Sequence, residues 1–315
     1  MNYDIKIKGE DRDDGRIEFD RLARLAKTTK EIAQKALMLK LFGYSGVAIP
    51  AEWKKATHIY LETVKGSKSK GTTLTIDAAP LATYRPVLQR NAFKPELETE
   101  LQTLTPMALV IQSFRQALVE DEPNNNSLDK PLLKSLMAFK NNFQGEKEVF
   151  YLSNRKTIPD IEVRLSDFKK IEQLEESIPE PHKIVVTGRL DEMKYSKSRL
   201  VMITNDGPVN ILVKDNQEQM LEDLKNFFGK EFSIQGMANY RAGGSISFIE
   251  LLSFGETSTA DQYFNKLPSG MTSKQQLLFQ AQKTGTRNPL FDIAGQWPGE
   301  ETDAEFDEII KSAQQ

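Results

Sequence analysis

Between Lys183 and Phe254 the apolar residues change period twice. Strands are expected at Lys183 to Leu190, Arg199 to Thr204 and Val209 to Lys214, a helix from about Gln217 to Phe228, and two further strands at Glu231 to Ala238 and Ser245 to Phe254. This order constrains the fold more than any other feature, because three strands, a helix and two strands in so short a stretch is the order of a small β-barrel. Gly188 and Gly236 sit where strongly bent barrel strands use glycine.

A helix between the third and fourth strands favours an OB-like barrel over the rival SH3-like one. Upstream, Tyr3 to Lys8 alternates as a half-buried strand, Arg12-Asp13-Asp14-Gly15 supplies a turn, and Arg16 to Phe19 reads as a second short strand. Asp20 is placed to cap a long helix with Leu22, Leu25, Ala26, Ile32, Ala33, Ala36, Leu37, Leu39 and Leu41 on its apolar face, stopped at Gly43. Two more alternating runs, His58 to Val64 and Thr72 to Ala78, complete a ββαββ pattern: a helix laid on a small antiparallel sheet.

From Pro80 to Pro181 a mainly helical connecting region is expected. One helix spans Thr105 to Glu120, a second is capped by Ser127 or Asp129, and Lys156 to Lys170 reads as strand then helix. Ile178-Pro179-Glu180-Pro181 reads as a linker, since prolines at that density stop regular structure. The expected organisation is therefore α+β throughout: an α+β domain over 1–80, the helical region over 81–181, the barrel over 182–255, a linker with a short helix containing Leu277, Leu278 and Ala281 over 256–287, and an acidic tail over 288–315.

Zero cysteines among 315 residues exclude disulfides, thiol catalysis and thiolate metal sites, and two histidines leave no basis for a histidine zinc site. No run approaches the ~18 apolar residues that cross a bilayer, and the opening MNYDIKIKGEDRDD lacks the basic and apolar regions of a cleaved signal. A cytoplasmic protein without cofactor or metal and with no membrane partner is expected. His58 and His182 fall in separate modules with no adjacent nucleophile, and the pairs Asp13-Asp14 and Glu175-Glu176 do not converge on a helix or strand, so no catalytic residue is assigned. Gly66-Ser67-Lys68-Ser69-Lys70-Gly71 lacks the spacing of a phosphate loop and joins two strands, as a flexible hairpin does.

Two barrel loops carry tyrosine beside cations. Lys194, Tyr195, Lys197 and Arg199 in the first, and Tyr240 and Arg241 in the second, are the residues that would stack bases and track phosphates if the barrel binds single-stranded nucleic acid. Asp191 and Glu192 oppose that field. The tail, NPLFDIAGQWPGEETDAEFDEIIKSAQQ, sets seven carboxylates against one lysine, a charge of −6 within a net −3, which leaves +3 on residues 1–287. It also keeps Leu290, Phe291, Ile293, Trp297, Phe306, Ile309 and Ile310, more large apolar groups than a solubilising tail holds. Thr302-Asp303-Ala304-Glu305 is a capping box that starts a helix, with Phe306, Ile309 and Ile310 at one-turn spacing. These anchors either fold back on the same chain or wrap a partner with Trp297 and Phe291 as hot spots.

In Pro289-Leu290, Ile293-Ala294-Gly295, Trp297 and Gly299-Glu300-Glu301, the tail resembles the C-terminal segments of bacterial antitoxins that neutralise PIN-domain ribonuclease toxins. The resemblance covers residues 288–315 and implies that Leu290, Phe291, Ile293, Trp297, Glu300, Glu301, Phe306 and Ile309 occupy the toxin's surface near its catalytic groove. The short DNA-binding head of that family is replaced by the body described above. The expected function is a non-enzymatic, antitoxin-like regulator that restrains a protein partner of the nuclease-toxin class; the alternative is single-stranded nucleic-acid binding by the barrel loops.

Overall fold

The computed structural model describes residues 1–9, 15–67, 71–89, 104–119, 128–154, 159–194, 199–213, 218–241, 244–257 and 264–283. It divides into two compact units, Met1–Gly270 and Met271–Gln315.

The first unit opens with β1 (Asn2–Lys8), whose alternation buries Tyr3, Ile5 and Ile7. Helix α1 (Phe19–Phe42) follows, with the expected apolar face turned inward around Leu25, Ile32, Leu37 and Leu41. The strand expected at Arg16 to Phe19 does not form, because the Glu18 carboxylate accepts from the amides of Asp20 at 2.8 Å and Arg21 at 2.9 Å and starts the helix there. Glu18, not Asp20, is the cap; its carboxyl is held below the usual range by those amides. The helix stops at Gly43, whose φ of 79° is the left-handed conformation that ends helices.

A 3-10 turn at Ala51–Thr57 buries Trp53, and the expected hairpin follows as β2 (Ile59–Ser67) and β3 (Gly71–Ala78). Then come α2 (Arg85–Gln89), α3 (Pro106–Leu118) capped by Thr105, and α4 (Lys130–Ala138) capped by Asp129. The connecting region also supplies β4 (Val149–Asn154) and β5 (Ile161–Arg164) before α5 (Phe168–Ser177). β4 pairs antiparallel with β1, giving a sheet of order β2-β3-β1-β4-β5. The pattern is thus βαββ completed by two distant strands, so that the expected connecting region over 81–181 contributes β4 and β5 to the same sheet as the strands of residues 1–80. Phe114, Phe139, Phe143, Phe150 and Phe168 meet edge to face at 4.7–5.6 Å between ring centres, the arrangement their quadrupoles favour.

Past the linker, β6 (His182–Lys194), β7 (Arg199–Thr204), β8 (Gly207–Leu212), α6 (Glu218–Leu224), β9 (Glu231–Tyr240) and β10 (Ile246–Glu256) appear in the expected order. The strands close as β10-β8-β7-β6-β9, with β9 returning to β10 and the β8–β10 pair parallel. A side chain on Gly236 would lie 2.3 Å from Ile249 Cγ2 and 2.6 Å from the Glu250 carbonyl oxygen; on Gly188 it would lie 2.5 Å from the Ile203 carbonyl oxygen. Backbone oxygen cannot step aside, so Gly236→Ala is expected to cost about 1–3 kcal/mol, the usual price of overpacking. Urea unfolding followed by circular dichroism measures it, and a change within experimental error would show that the barrel relaxes freely.

The second unit contains α7 (Ser273–Lys283), the short helix expected from Leu277, Leu278 and Ala281.

Candidate functional site

Of the residues that the barrel was expected to offer to nucleic acid, Arg199 lies instead against the C-terminal end of α1. A helix end leaves carbonyls without intrahelical partners. Here the Phe42 carbonyl accepts from Arg199 Nη1 at 3.4 Å, and the Gly43 carbonyl accepts from the Ser247 hydroxyl at 3.0 Å. Arg199 also donates from Nη2 to Asn210 and lies over the Phe42 ring, 5.8 Å from its centre. The Tyr44 ring packs on Phe248 at 4.1 Å.

Just beyond the helix, Ser45 donates its amide to Asp129 Oδ2 at 2.7 Å and its hydroxyl to Asp129 Oδ1, while the same carboxylate caps α4 by accepting from Leu132 N at 3.0 Å. The backbone of Asp129 also forms an isolated antiparallel β-bridge with that of Arg241. Burial pushes the Asp129 carboxyl up, against the hydrogen bonds from Ser45 and Leu132 that favour its charge. Burial depresses the Arg241 guanidinium, with the Asp129 charge opposing that change. A hydroxyl bonded to a carboxylate resembles a nucleophile beside its base. Ser45 is nevertheless fully buried and Asp129 is 1% exposed, so no substrate reaches the pair, and its work is to tie α1 and α4 to the barrel.

The consequences for the expected nucleic-acid residues are specific. Arg199 is 5% exposed and burial lowers its pKa to about 10, opposed by Glu192; it is a joint between α1 and the barrel, not a phosphate contact. Tyr240 is 3% exposed, burial pushes its phenol up to about 12, and it stacks on His182 at 4.9 Å while its hydroxyl meets His182 Nε2 at 2.9 Å. A ring closed in this way offers no face to a base. Arg241 is drawn into the Asp129 junction. The side chains of Lys194, Tyr195 and Lys197 lie outside the described residues.

His58 contacts Tyr60, with a 3.4 Å approach of Nδ1 to the hydroxyl. Among the described residues there is no group of three or more His, Asp or Glu that could hold a metal ion, and no helix is long and apolar enough to cross a membrane. The tail residues Leu290, Phe291, Ile293, Trp297, Glu300, Glu301, Phe306 and Ile309 lie outside the described residues. Immediately before them, α7 carries Leu277, Leu278 and Phe279 at 67%, 56% and 43% exposure. Compared with protein-family models, with curated proteins and with solved structures, the chain matches none.

Proposed function

We propose that this chain is a non-enzymatic, antitoxin-like regulator whose C-terminal unit docks on and restrains a protein partner of the PIN-type ribonuclease class. The observation that carries this reading is the exposed Leu277-Leu278-Phe279 run on α7, which extends the apolar anchors of the tail upstream into described structure. Contiguous exposed apolar groups on a soluble chain mark interaction sites. Leu290, Phe291, Ile293, Trp297, Phe306 and Ile309 then act as anchors, and Glu300 and Glu301 face a basic or metal-binding groove on the partner. The five-stranded ring, read as an OB-type barrel, serves as scaffold. The nucleic-acid reading retains only Lys194, Tyr195 and Lys197, since its second loop contributes a buried tyrosine.

A pull-down of PIN-domain ribonucleases tests this with the full chain and with a chain ending at Gly270, which lacks the whole C-terminal unit. The full chain is expected to capture its ribonuclease and suppress RNA cleavage, and the truncated chain to lose both. Undiminished capture by the truncated chain, or none by the full one, overturns the proposal.

A further inference from the structure

The N-terminal half of α1, between Leu22 and Lys30, leaves a cavity of about 150 Å³ over the sheet. Its floor is apolar and buried: Ile5 of β1, Leu74 and Ile76 of β3, and Leu25 of α1. Its mouth lies between α1 and the edge strand β2, where Ala26, Lys30 and Leu61 are exposed. Thr29 also lines it; the residue is 3% exposed and its hydroxyl is buried with no hydrogen-bond partner. The neighbouring Thr28, by contrast, donates back to the Arg24 carbonyl at 2.9 Å. A buried hydroxyl without a partner loses hydration with no return unless a bound group supplies the bond.

We infer that this cavity is a binding site for a small aryl carboxylate, with the ring on the Ile5, Leu74 and Ile76 floor and Thr29 and Lys30 as its polar contacts. The volume suits one six-membered ring, since an apolar cavity of about this size takes up benzene. The charge follows from Lys30 at the mouth, which with the exposed Arg24 and Lys27 makes the solvent side of this helix basic. A peptide strand is the weaker fit: β2 carries a register shift between Leu61 and Thr63, and a bulge on a free edge works against strand addition. The lining residues named all belong to the first unit, and the inference stands or falls apart from the proposed function.

The test is titration of the full chain with phenylacetate and, separately, with neutral benzyl alcohol, followed by methyl NMR of the leucine and isoleucine groups in the floor. Saturable shifts with phenylacetate are expected. Lys30→Met and Thr29→Val should each weaken phenylacetate about fivefold, the scale of one partly exposed charge pair or one net hydrogen bond. Lys30→Met should leave benzyl alcohol unchanged. Ala26→Phe, or Leu61→Trp as a second plug on an exposed position, should remove both ligands while circular dichroism stays that of the parent. Absence of saturable shifts, equal phenylacetate affinity in either polar variant, or undiminished binding in both plugged variants overturns the assignment.

Discussion

Glu148→Ala is expected to lower the free energy of unfolding by about 3–5 kcal/mol, the range seen when one partner of a buried ion pair is removed. The size follows from what the change would leave behind. Arg21 sits on the inner face of α1 with its side chain 7% exposed, and Glu148, fully buried, is its ion partner. The guanidinium uses its whole fork: Nε and Nη2 donate to the Asn142 carbonyl at 3.2 and 3.1 Å, Nη1 donates to Gln144 Oε1 at 3.2 Å, and Nη2 also meets Glu148 Oε1. The other carboxylate oxygen accepts from the Gln144 amide at 2.9 Å. Without Glu148 a guanidinium remains uncompensated 5.7 Å from the centre of the Phe150 ring, and the Gln144 amide loses its acceptor. Replacing both partners, as in Arg21→Met with Glu148→Leu, should cost far less than either single change, because two apolar groups leave no orphaned charge. Urea unfolding of the parent, both single variants and the double variant measures the cycle, and a double variant as unstable as Glu148→Ala would refute the account.

That ion pair also marks how far the fold was legible. Where the signal is local, the sequence reads correctly: the apolar stripe of α1 and its stop at Gly43, the β2–β3 hairpin, and the five barrel strands all follow from period and glycine placement. Where pairing joins distant segments it does not. β4 lies beside β1 in a register that matches Tyr3 with Asn154, and no nearby residue announces that partnership. Arg21 was a usable clue, since it stands one turn before Leu25 on the buried face, and a charge there requires a buried counter-charge elsewhere.

The errors at the barrel have the same cause seen from the other side. Reading Tyr240 as a loop residue ended β9 too early, at Ala238. Continued by two residues, the alternation Phe232, Ile234, Gly236, Ala238, Tyr240 places the tyrosine on the inward-facing set, where the structure has it. Arg199 opens β7 as expected, but its burial depends on α1 ending against the barrel, a tertiary fact that no window of sequence contains. Asp129 was legible as a helix cap and not as a junction, because its second set of donors comes from Ser45, 84 residues earlier.

Asp129 therefore carries the second large expected effect. Asp129→Ala strips acceptors from the Ser45 amide, the Ser45 hydroxyl and the Leu132 amide, all inside a site 1% exposed at the aspartate. A lost cap and buried unpaired donors together put the cost at about 3 kcal/mol. Asp129→Asn keeps one acceptor oxygen and should lose less. The two changes also separate by pH. Burial raises the folded-state pKa of Asp129 above its ordinary value of 3.8, so its contribution is fully present below that value and is lost as pH rises through the higher folded-state pKa. Asparagine has no such titration. The stability advantage of the parent over Asp129→Asn should accordingly shrink as pH is raised out of the acid range, a trend opposite to that of an aspartate whose pKa is depressed by a salt bridge. Unfolding curves for both proteins from pH 3 upward decide it: an advantage that grows with pH would mean that the Ser45, Leu132 and Arg241 groups stabilise the charge more than burial penalises it, and the junction would then be an electrostatic clamp instead of a hydrogen-bonded one.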